Sequence, residues 1–163
     1  MTYFGWEALK MKKVIIEQIG NIIMVILATW TMSYMVANSY WHANGESSFR
    51  FGIYGILFLA WLIIFGIVRA ILGRVDPSFN SSQGELSAGD EREKAISQQA
   101  LRWIYHVMIT LLLIELIAIP VLSLGMGAQP VLFAQAVVIA LGGALIISFI
   151  VYLSGWLYFD AKE

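Results

Sequence analysis

Four apolar runs dominate the pattern of hydrophobic and polar positions: residues 19–40, 51–72, 104–124 and 131–153. A bilayer core about 30 Å thick is crossed by about 20 helical residues, so each run is long enough to span it. Arg69 lies near one end of the second run and Glu115 lies inside the third; the runs are otherwise free of formal charge. No ten-residue stretch alternates apolar and polar positions as a membrane β-strand would. The connections 41–50 and 125–130 are short, which forces the first and second runs, and the third and fourth, to lie side by side in opposite directions. The pattern therefore predicts an all-α integral membrane protein, a four-helix bundle built from two antiparallel helical hairpins.

Composition agrees. Hydrophobic residues make up 60% of 163 positions and charged residues 13%, with a mean hydropathy of +0.77. A soluble domain carries about 25% charged residues, so this chain lacks the polar surface for a water-facing fold. Tyr40 and Trp41, Trp103 and Tyr105, and Trp156 and Tyr158 mark the run ends, where amphipathic rings favour the headgroup layer. Of the ten lysines and arginines, only Arg50 falls on one side; Lys10, Lys12, Lys13, Arg69, Arg74, Arg92, Lys94, Arg102 and Lys162 gather on the other. Basic residues are retained in the cytosol, so both termini and the middle connection are expected there and the protein in the cell membrane. A net charge of −1 offers no field for nucleic acid, and the absence of cysteine excludes disulfides and thiolate zinc sites. No cleavable signal is expected, because acidic Glu7 and Glu17 precede a run long enough to span.

The stretch 1–18 sets Tyr3, Phe4, Trp6 and Leu9 beside Lys10, Lys12 and Lys13. It reads either as an amphipathic segment lying in the inner interface or as a basic flank that sets orientation. The connection 73–103 is the one sizeable polar segment. Its first half is rich in Ser, Gly, Asn and Pro and predicts a loop. Its second half begins a helix: Asp90 and Glu93 have capping-box spacing, and Glu91 and Glu93 suit the positive end of the helix dipole. With no breaker before Pro120, one long helix is expected from about Glu91 through the third span.

Glu115 is the main candidate for chemistry. It lies near the middle of its span, where a charged side chain costs about 2.5–3.5 kcal/mol on insertion scales. It reads as a proton- or cation-coupled site, as a polar contact with a partner helix, or as a carboxyl hydrogen-bonded inside the bundle. Depth matching places Thr29 and Trp30, Trp61, and Gly142 and Gly143 at similar height, and Thr29 or Trp61 is an expected donor to the acid. Pro120 removes the hydrogen bond to the Leu116 carbonyl and predicts a kink nearby. His42 and His106 fall on opposite sides of the membrane and make no metal site. No cofactor is expected. Ala136, Ala140, Ala144 and Ser148 recur every four residues and predict a helix-packing ridge, within the bundle or between copies in a homo-oligomer.

The stretch from Asp90 to Leu113 resembles a pattern in small uncharacterised membrane proteins of bacteria, mostly Gram-positive. There an Asp-Glu-Arg-(Glu/Asp) tetrad followed by isoleucine and alanine leads into the third of four helices; the matching residues are Asp90, Glu91, Arg92, Glu93, Ile96 and Ala100. The resemblance implies a regulatory or accessory role and carries over no catalytic residue.

Two functions are expected in competition. One is a non-enzymatic regulator or accessory subunit holding a protein partner through Asp90, Glu91, Arg92, Glu93 and Lys94. The other is a small oligomeric transporter, or an immunity- or resistance-type protein, that uses Glu115.

Overall fold

The computed structural model describes residues 3–41, 46–75 and 91–162, and the side chains of these residues except 3–12 and 41. Asp90, His42 and the loop half of the middle connection lie outside the described residues, so the predicted cap and loop are not among the features that follow. Four helices form: α1 Tyr3–Asn38, α2 Gly52–Val75, α3 Glu91–Gly125 and α4 Pro130–Asp160. All four are long and apolar enough to cross a membrane. Between α1 and α2, the strands β1 Tyr40–Trp41 and β2 Ser47–Ser48 pair antiparallel, Tyr40 opposite Ser48. The Ser39 hydroxyl accepts from the Arg50 amide at 2.9 Å and helps close this connection.

The helices stand in a row rather than a closed ring. α1 packs on α4 along much of its length, α2 flanks α1, and α3 flanks α4, while α2 and α3 scarcely meet among the described residues. The flanking helices consequently expose long apolar faces, among them Ile56, Ile63 and Ile67 on α2 and Leu113, Leu116 and Ile117 on α3. In lipid such exposure costs nothing, because acyl chains are as apolar as the side chains.

The buried core sits at one end. Val14 of α1, Ile96 and Ala100 of α3, and Tyr152 and Trp156 of α4 form it, with Ile104, Leu153, Leu157 and Phe159 packed around them. This is also the end that carries Lys13, Arg69, Arg92, Lys94 and Arg102. Further along the row, Val25, Thr31, Phe65 and Ala144 are buried as well.

Two helices extend well beyond their apolar runs. From Tyr3 the chain is helical and continuous with the first span, and Val14, Glu17 and Gln18 are buried in the row. No proline interrupts residues 3–38, so the helix continues without a break. α3 runs as one helix from Glu91 through Pro120 to Gly125, as the capping pattern and the lack of an earlier breaker predict.

Close approach in the row depends on small residues. A Cβ added at Gly20 would overlap the Phe65 ring of α2, and one at Gly142 would overlap the Thr29 side chain of α1. Ala144 and Ser148 are buried, and Ala136 and Ala140 are half-buried. The Ser148 hydroxyl donates to the Ala144 carbonyl at 2.8 Å and also reaches the Met108 sulfur of α3.

Candidate functional site

The intramembrane polar residues do not converge. Thr29 donates its hydroxyl to the Val25 carbonyl one turn back, at 2.7 Å. Trp61 reaches down α1 instead of across to α3, its Nε1 donating to the Gly20 carbonyl at 3.1 Å. Trp30 is 56% exposed and meets Tyr54 edge-on. The expected hydrogen bonds to Glu115 are therefore not among those made by Thr29 and Trp61. Local geometry explains both outcomes. A helical threonine finds its own i−4 carbonyl at no cost, and the bare backbone at Gly20 is what an indole on α2 can approach.

Glu115 lies on the half-buried stripe of α3 that includes Ile104, Met108 and Leu111. Because Met108 touches Ser148, this stripe faces α4. The carboxylate Oε2 is buried and has no hydrogen-bond partner among the described residues. Residues 137–147 of α4 contain no side chain able to donate. An intramembrane acid without a donor is costly.

The strongest buried polar contact was not legible as a site in the sequence. Glu17 of α1 is 1% exposed and lies 3.0 Å from Nε of Arg69 on α2. Lys13 and Gln18 are buried beside it on α1. On α2, Trp61, Phe65 and Arg69 follow at four-residue spacing, so all three project from one helix face. Trp61 stacks on Phe65 with centroids 6.0 Å apart, and the Arg69 guanidinium lies 6.0 Å from the Phe65 centroid. Each of the three engages α1 through Gly20 or Glu17. One signal was present: the single arginine inside an apolar run and the acid next before the first run match in depth.

At the start of α3 the expected partner-binding residues divide. Arg92 is tied to α4, donating to the Asp160 carbonyl at 3.1 Å and to its Oδ1 at 3.3 Å. Glu93 is half-buried, whereas Glu91 and Lys94 are exposed. Ile96 and Ala100 are completely buried, and Trp103 packs edge-on against Phe159 at 5.1 Å. The back of this helix is thus held against α4. Its front carries Glu91, Lys94, Gln98, Leu101, Arg102 and Tyr105, all exposed and spaced at helical intervals along one face. A shallow groove of about 400 Å³ runs beside Gln98, Arg102 and His106.

Compared with protein-family models, with curated proteins and with solved structures, the chain matches none of them.

Proposed function

We propose that this chain is a non-enzymatic regulator or accessory subunit of the cell membrane that binds a protein partner through the exposed front of α3. The single observation carrying this reading is a helix anchored behind and open in front. Ile96, Ala100 and the Arg92–Asp160 contact hold its back, while the front presents a mixed-charge, partly aromatic strip to solvent. A preorganised surface binds with less ordering cost than a loop would, and rigid arginine- and tyrosine-bearing faces are favoured at interfaces. The cytosolic placement of this strip, with both termini on the same side, is supported by the gathering of basic residues at the core end.

A photoreactive amino acid at Lys94 or Gln98 in growing cells is expected to yield a discrete protein adduct, and the same group at Ile63 is not. R102E should abolish the adduct without lowering the amount of protein in the membrane. Adducts to lipid alone, or an adduct indifferent to R102E, would count against the reading.

One observation favours the transporter alternative: the buried Glu115 carboxyl oxygen has no hydrogen-bond partner among the described residues. If it couples transport to cation movement, Glu115→Gln removes the pH dependence of uptake or resistance measured in cells. If it is only a packing defect, the same variant melts at an equal or higher temperature and leaves cellular behaviour unchanged.

A further inference from the structure

At the end of the row opposite the core, a cleft of about 380 Å³ opens between α1, α2 and α4. We propose that it binds an alkylammonium group, carried on a free organic cation or on a lipid headgroup. On the orientation proposed above this is the outer end of the protein, and the site shares no residue with the α3 face.

Among the described residues, three aromatic side chains line the cleft: Trp30 and Tyr34 from α1 and Tyr54 from α2. Trp30 and Tyr54 have centroids 6.1 Å apart at 62°, and Tyr34 and Tyr54 have centroids 5.6 Å apart at 59°. Rings set at steep angles present both faces and edges toward a shared space, the arrangement in which π-faces attract a cation. Trp30 remains 56% exposed, so its ring is not consumed by packing inside the chain.

Two amides complete the lining. Gln135 Nε2 donates to the Ser33 carbonyl at 3.2 Å and to the Ser33 hydroxyl at 3.3 Å, joining α4 to α1. Asn38 Nδ2 donates to the Tyr34 carbonyl at 2.9 Å. Carbonyl acceptors require the nitrogen at those positions, so each amide keeps its oxygen as an unused acceptor among the described residues. The lining thus offers π-faces and amide oxygens, and among the described residues it includes no lysine, arginine, aspartate or glutamate. An anion would find no cationic partner there. A small inorganic cation would lack the carboxylates and the oxygen count that hard ions demand. A weakly hydrated ammonium with alkyl substituents needs neither, and the volume lies within the range of small-molecule sites.

The test is ligand-observed NMR on the full chain in neutral maltoside micelles, comparing choline with its uncharged isostere 3,3-dimethylbutanol. Choline is expected to bind saturably and at least tenfold more tightly than the alcohol. Trp30→Leu and Tyr54→Leu, which keep apolar volume, should each weaken choline about five- to tenfold, the size of one cation–π contact. Adding phosphatidylcholine but not phosphatidylglycerol should displace choline if the natural source is a headgroup; failure to displace it identifies a free cation. Equal binding of the alcohol, or undiminished choline binding in both variants, would overturn the proposal. So would the absence of any saturable choline signal. The isostere comparison uses the unmodified chain, so misfolding of a variant leaves the result decisive.

Discussion

Arg69→Ala is expected to destabilise the protein by about 3 kcal/mol, the lower end of the penalty for removing one partner of a buried ion pair. Glu17 is 1% exposed and would keep its charge with no guanidinium 3.0 Å away. The lower end applies because the Arg69 side chain is 31% exposed, so water reaches part of the pair. Neutralising both partners, with Glu17→Gln and Arg69→Gln together, should cost less than Arg69→Ala alone. In the double variant the Glu17 charge is removed together with the guanidinium that faces it. Thermal unfolding in maltoside, followed by circular dichroism across a double-mutant cycle, reads the coupling directly. Strictly additive effects of the two positions would show that they do not interact.

The second large effect separates two adjacent glycines. Gly142→Leu should cost about 2–3 kcal/mol, as overpacking of a tight contact does, whereas Gly143→Leu should fall within about 0.5 kcal/mol of the parent. A Cβ at Gly142 overlaps Thr29, including a 2.9 Å approach to the Thr29 Cβ, while nothing lies within 4 Å of one at Gly143. Thr29 cannot simply swing away, because its Cβ is attached directly to the α1 backbone and its hydroxyl is anchored to the Val25 carbonyl. Thr29→Ala should recover part of the loss caused by Gly142→Ala. A disulfide engineered between positions 33 and 135, which face each other through the Gln135–Ser33 contact, offers a second readout. Its yield should fall in Gly142→Leu and hold in Gly143→Leu.

The charge pair and the glycine pair show where reading from sequence stops. Glu17 looked like a flanking acid and Arg69 like an orientation signal, because each alone satisfies the rules for membrane boundaries. Pairing them required knowing that α2 lies on α1 in the register that sets Phe65 over Gly20. Thr29, Trp61 and Glu115 were grouped by depth, yet depth omits rotation about the helix axis. Thr29 turned to α4, Trp61 to α1, and Glu115 to a donorless stretch of α4. Asp90 to Lys94 formed one continuous candidate in the sequence. The fold instead assigned Arg92 to Asp160 and left Glu91 and Lys94 in front.

By itself the sequence determined that four segments are apolar and long enough to cross a bilayer, and that basic side chains collect at one set of their ends. Those properties depend only on how far a greasy run extends and where charge interrupts it. Tertiary structure alone decided the row order, the placement of the core at one end and the pairing of Glu17 with Arg69. The reason is that lipid and neighbouring helix are both apolar. A lipid-facing leucine and a helix-facing leucine look the same in the chain, so no amphipathic stripe announces which side meets a partner.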